Sequence, residues 1–235
     1  MPYLCLLLSG AALLINGLAT LGALPRRDAA VFSLVIGGLQ LLLGVTYLAV
    51  AHPALTHPGS TGPDALAGHL QPTLLTASGM FLFGLTYAYV GLDFLLGLGS
   101  RGLGWFSGMV GACGLLLAAA WFSSDPLLAV LWLCWSYLWT LFFFSMALGR
   151  SRLSPLIGWS LVLASQATAT APALLGMTGQ WPGDTATAGG AAACIALLLL
   201  LAAGLARRDG RRAGRRDRQP AVVVPNGPLE TTTGG

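Results

Sequence analysis

The sequence predicts an all-α, polytopic membrane protein. Three observations carry that reading. Seven long apolar segments fill almost all of the 235-residue chain, and all twelve arginines fall on one side of them. The composition is 55% hydrophobic and 9% charged, with no lysine. A soluble domain of this size could not bury so much apolar surface and still cover itself with charge.

The segments read 3–24, 29–51, 73–98, 103–123, 126–148, 153–177 and 186–206. Each holds the roughly 20 residues that a helix needs to cross an apolar bilayer core. Continuous apolar runs favour helices over a barrel, which needs short alternating strands. Segment 3–24 lacks a basic leader and is followed by six segments like it, so it reads as a retained span rather than a signal peptide. In segment 29–51, Gly37 and Gly38 open one side of the helix. Segment 103–123 repeats small residues at Gly104, Gly108 and Ala112, a face that permits close helix approach within a chain or between subunits. In segment 153–177, Pro172 should kink or thin the helix near one end. Segment 186–206 is rich in Ala, Leu and Gly and has no aromatic residue, the pattern of a peripheral anchor.

Orientation follows from the arginines. Arg26 and Arg27, Arg101, Arg150 and Arg152, and the seven from Arg207 to Arg218 all fall in alternate connections. The positive-inside tendency puts these in the cytoplasm, the N-terminus outside and the C-terminus inside. The opposite connections carry Asp64, Asp125 and Asp184 and no arginine. His52, His57 and His69 belong to the outside connection 52–72 or its edges. They could respond to acid or simply be solvated, and they form no zinc motif. The stretch 207–235 alternates arginine with Gly and Asp, then turns to Pro, Thr and Gly. It is expected to be disordered, with its arginines near anionic lipid.

Several function classes lose their support here. Cys5, Cys113, Cys134 and Cys194 sit inside apolar segments with no C-x-x-C pair, so they read as small core residues, with no metal site and no cofactor expected. No nucleophile–base–acid set, zinc motif or phosphate loop appears, which argues against an enzyme. The absence of lysine argues against a retinal Schiff base. The net charge of +4 is concentrated in the tail and gives no nucleic-acid-binding pattern. Asp93 is the clearest acid within a span, near its cytoplasmic end, where helix-end solvation or packing explains it.

Four spans share a four–three–four spacing that gathers residues on one helix face. These are Ser9, Leu13, Asn16 and Thr20, then Thr76, Met80, Phe83 and Tyr87. The others are Leu128, Trp132, Trp135 and Trp139, and Trp159, Leu163, Gln166 and Thr170. Polar Asn16 and Gln166 should avoid lipid. An interfacial belt explains Trp121 but not three tryptophans on successive turns. The stripes suit either core packing or a narrow lined pore. Aromatic walls with few polar groups would suit a small, flat, uncharged polar solute and not an ion.

At these aromatic residues the chain resembles the AmiS/UreI family of urea and short-chain amide channels. The matching pieces run through residues 3–177. They are LLINGL at 13–18, VIGGLQ at 35–40, AHP at 51–53, FGLTYAY at 83–89 and WLCWSYLW at 132–139, then Trp159 and Pro172. The resemblance implies a six-helix channel bundle over 1–177, to which this chain adds a seventh helix over 178–206 and the tail 207–235. It implies passive passage of urea or a short-chain amide through each protomer, in a homo-hexamer of the bacterial inner membrane. It makes Leu13, Asn16, Phe83, Tyr87, Trp132, Trp135, Leu138 and Trp139 the solute pathway. A proton-coupled amide transporter and a non-transporting membrane module are the alternatives.

The chain also departs from the family pattern. Ser9 stands where a larger apolar residue occurs, and Leu128 replaces an aromatic one. Ser145 and Ala164 stand where an acid-gated relative carries glutamates in spans five and six. Acid gating is therefore not implied here.

Overall fold

The computed structural model describes residues 2–51 and 63–216. The helices are α1 Pro2–Thr20, α2 Arg26–Ala51, α3 Pro63–Leu96, α4 Arg101–Trp121 and α5 Pro126–Phe142. The fifth span continues as a π turn, Phe143–Ala147. The sixth span is broken into α6 Ser154–Ala164, a π turn Ser165–Thr170 and α7 Ala171–Met177. The last helix, α8, runs Thr185–Arg216. Seven stretches are long and apolar enough to cross a membrane. Together with the exposed aliphatic side chains on their outer faces, they make this a multi-pass membrane protein.

Local chemistry sets the helix ends. Asp125 caps α5 by accepting from the Leu128 N–H at 2.9 Å, and Pro126 follows at the first turn, where a missing N–H does no harm. Asp184 begins α8 by accepting from the Thr187 N–H at 2.7 Å and the Thr187 hydroxyl at 2.8 Å. These bonds hold its carboxyl below the ordinary value of 3.8. At the end of α3, buried Asp93 accepts from the Ser100 backbone N–H at 2.9 Å and from the Ser100 hydroxyl. That pins Ser100 in a left-handed conformation, φ 60°, between α3 and α4. Asp93 thus serves the turn.

Glycines zip the spans into pairs. A Cβ on Gly37 of α2 would meet the Ala88 nitrogen of α3 at 2.5 Å and the Gly84 oxygen at 2.7 Å. Gly104 of α4 lies against the backbone of Ala147, and Gly108 against the ring of Phe143. Gly10 and Gly17 of α1 lie against Thr170 and Val162 of the sixth span. Without a hydrophobic force between helices in lipid, such close backbone approach supplies the dispersion contact that holds a bundle.

Several expectations are corrected. Gly38 has open space where Gly37 is packed, and Ala112 is exposed, so neither belongs to a packing face within the chain. Cys194 is exposed on α8, while Cys5 and Cys134 are buried. Pro172 lies just after a six-residue π turn, Ser165–Thr170. Lacking an N–H, it leaves the preceding turn without one donor, and the wider turn is one way a helix absorbs that loss. The seventh helix packs on α6 and α5 and remains helical through Arg216, past the expected start of disorder at 207. Residues 217–235, His52 and His57 lie outside the described residues.

Candidate functional site

Between α1, α3, α5 and the sixth span, three cavities follow one another from the arginine-free end to the arginine-bearing end. The first has a volume of about 260 Å³ and opens among Pro2, Tyr3, Tyr47, Trp121, Asp125 and Trp181. The middle one is about 60 Å³ and is lined from α1, α3, α5 and α6. The third is about 240 Å³ and reaches Arg26, Ser100 and Ser154. Phe83 and Trp135 line both the first and the middle cavity. Thr20, Phe94, Phe142 and Met146 line both the middle and the third. The middle cavity is the smallest of the three.

All eight residues singled out for a pathway line the first two cavities. Trp132 faces the first, Phe83 and Trp135 face both, and Leu13, Asn16, Tyr87, Leu138 and Trp139 face the middle. Helical spacing brings Trp132, Trp135 and Trp139 to one side of α5, and Phe83 of α3 docks into them. Its ring centroid lies 5.9 Å from Trp132, 5.0 Å from Trp135 and 4.7 Å from Trp139. The last two contacts are edge-on, the arrangement that ring quadrupoles favour. The tryptophans are both core and lining, so the two readings of the stripe are not exclusive.

The polar groups here are few and mostly committed. Trp135 donates its indole N–H to the Thr168 hydroxyl at 3.1 Å, which fixes the ring plane against the sixth span. The Tyr87 hydroxyl donates to the Ser9 carbonyl at 3.3 Å. Asn16 donates to the Ala12 carbonyl at 2.8 Å and to the Ser33 hydroxyl at 2.7 Å. A carbonyl can only accept, so the amide nitrogen must occupy that side of Asn16. The Asn16 Oδ1 is then an acceptor with no partner among the described residues, on a side chain that lines the middle cavity. The middle lining contains no charged side chain. An ion would lose its hydration there with little in exchange, whereas a small neutral amide would not.

The stripe of the sixth span is a correction. Trp159 turns away and donates to Asp209 of α8 at 2.8 Å, and Gln166 is exposed. Thr170 packs on Gly10. The residues that the sixth span supplies to the cavities are Leu161, Ile157 and Ser154. No local signal marks them, since Trp159 carries the more conspicuous pattern and its partner lies on the distant helix α8. Gln40 falls outside the four stripes. It is fully buried and donates to the Cys5 carbonyl and the Ser9 hydroxyl, both at 2.7 Å. Among the described residues, no group of three or more His, Cys, Asp and Glu side chains is placed to hold a metal.

Residues 1–180 match the family described as AmiS/UreI family transporter. The chain is 41% identical over 187 residues to the transporter protein AmiS2 of Rhodococcus erythropolis, covering 79% of this chain and 83% of that one. It is 34% identical over 174 residues to a Mycolicibacterium smegmatis protein described as a transporter of amidate substrates, covering 73% and 74%. The fold is similar to the Helicobacter pylori urea channel in its closed state, with a TM-score of 0.65 and 26% identity. It is likewise similar to the crystal structure of that channel, with a TM-score of 0.62 and 25% identity. Each match covers 77% of this chain and 100% of the other.

Proposed function

The chain belongs to the AmiS/UreI family, and from that premise we propose that it passes urea or a short-chain aliphatic amide passively across the membrane. The observation that carries the reading is the series of cavities of about 260, 60 and 240 Å³, joined by shared lining residues and narrowed by aromatic rings. The pathway residues are Leu13, Asn16, Phe83, Tyr87, Trp132, Trp135, Leu138 and Trp139. Flat rings let a planar solute slide, and scattered acceptors such as Asn16 Oδ1 meet its N–H groups in turn.

The six-helix unit 1–177 is the channel domain, and 178–206 is an added helix beside it. The protein is a channel and not an enzyme. It sits in the bacterial inner membrane with its N-terminus outside, as the one-sided arginines favour. The first cavity is then the outer vestibule. The protomers form a hexameric ring, and the exposed row Val31, Val35, Leu42 and Val45 on α2 offers a face to lipid or to a neighbouring protomer.

Stopped-flow uptake by proteoliposomes tests the proposal. Urea, formamide and acetamide should enter faster than into empty vesicles, while glycerol and ions should not. Collapsing a proton gradient should leave that uptake unchanged. Uptake that requires the gradient would replace the channel with a proton-coupled transporter.

A further inference from the structure

The connection between the sixth span and α8 does more than join them. The chain leaves α7 through Gly179, at φ 74°, with the Gln180 N–H returning to the Leu175 carbonyl at 2.8 Å. Trp181, the first residue past the family match, is carried to the mouth of the first cavity and lines it. Its indole N–H donates to Asp125 Oδ2 at 3.0 Å, while Asp125 Oδ1 accepts from the Leu128 N–H at 2.9 Å. One carboxylate ties the connection before α8 to the start of α5.

Beside Trp181 stands Tyr3 of α1, with 5.4 Å between the ring centroids. Tyr3 in turn packs on Gly176 of α7, where a side chain would collide with its ring. Both rings are held in place by the protein itself, so little ordering is left to be done when a ligand arrives. Phe83 and Trp135, which also line the middle cavity, form the inner end. The first cavity thus offers flat apolar faces in about 260 Å³, against about 60 Å³ in the cavity beyond. Among the described residues, Asp125 is the one charged side chain in this lining, and it is partly exposed. A carboxylate oxygen can accept two hydrogen bonds, and each Asp125 oxygen has one partner among the described residues.

We propose that the first cavity is a binding site for a planar aromatic amide, a ligand that fills the vestibule, is too bulky for the middle cavity and blocks the path. Its ring lies against Trp181 and Tyr3, and its N–H groups meet the spare lone pairs of Asp125. The inference rests on the channel reading. It gives the residue just past the family match a role of its own, since Trp181 turns an open vestibule into a pocket. Urea and short aliphatic amides have no ring to stack there and pass on. The pocket separates the two classes by holding one and releasing the other.

Benzamide is the probe. Its block of urea uptake is measured by stopped flow in proteoliposomes at matched insertion, and its binding by calorimetry in detergent, for wild type, Trp181→Ala and Trp181→Phe. Wild type should bind benzamide, show a saturable block of urea uptake, and take up no benzamide beyond that of empty vesicles. Trp181→Ala should weaken binding and block about two- to twelvefold, the worth of one aromatic pair. Trp181→Phe keeps a ring at the mouth and should lose less. A wild type that conducts urea but neither binds benzamide nor is blocked by it overturns the pocket and leaves the channel standing. Protein-mediated uptake of benzamide overturns the block. Equal affinities in wild type and Trp181→Ala, or a loss as large in Phe as in Ala, overturn the role of the Trp181 ring. A wild type that binds benzamide but conducts no urea overturns the channel reading and keeps the pocket.

Discussion

Phe83 and Trp139 meet at 4.7 Å between ring centroids with 63° between planes, the shortest ring contact among the described residues. The two rings come from α3 and α5, the helices that face one another across the narrow middle cavity. Each span contributes one wall, and the edge-on contact sets their separation.

Trp139→Ala should therefore relax size selection. Phe83 remains held by Trp132 and Trp135 at 5.9 and 5.0 Å, which resists collapse into the space left behind. An apolar site that measures a solute by one methylene discriminates by about tenfold or more. The propionamide-to-urea uptake ratio should rise by about that factor in proteoliposomes at matched insertion. An unchanged ratio would mark these rings as packing residues alone.

Gly37 and Gly38 are adjacent and should behave oppositely. A methyl group at Gly37 runs into the backbone of Ala88 and Gly84 and must separate α2 from α3, whereas Gly38 has nothing within 4 Å. Gly37→Ala should cost about 1–3 kcal/mol, the usual range for overpacking. Gly38→Ala should be neutral or gain up to about 1 kcal/mol from helix propensity. Thermal unfolding in detergent separates the two, with the midpoint lowered only for Gly37→Ala.

Uptake should be nearly flat between about pH 5 and 7, where an ordinary histidine titrates. Among the described residues, the titratable groups that line the three cavities are Tyr3, Cys5, Tyr47, Tyr87, Asp125 and Arg26. The cap of α8 should also persist in this window. Asp184 is held below its ordinary 3.8, so the stabilisation it adds is complete above that value and is lost only as pH falls through the lowered one. A steep, reversible rise in urea flux on acidification would contradict the expectation and direct attention to the connection at 52–62.

Asp209→Ala should loosen α8 without changing flux. The Trp159 indole loses its acceptor at 2.8 Å, a loss of about 1 kcal/mol for a bond near the helix end. None of the described α8 residues lines the three cavities. Amide exchange across residues 205–211 should quicken while urea uptake stays at the wild-type rate. A matching fall in uptake would give α8 a part in conduction.

The sequence by itself determined the seven spans and the inward faces of α1, α3 and α5. Span length is a property of local composition, and helical periodicity places Leu13 with Asn16, Phe83 with Tyr87 and Trp132 with Trp139 whatever surrounds them. Tertiary structure decided the rest. It chose Leu161 over Trp159 on the sixth span, Gly37 over Gly38 on α2, and Gln40 as the buried partner of Cys5 and Ser9 on α1. The physical reason is the solvent. In lipid, the outer face of a helix is as apolar as its inner face, so hydrophobicity does not say which way a span turns. That direction comes from where another backbone approaches closely and where a buried polar group finds its partner, and both are settled only when the helices meet.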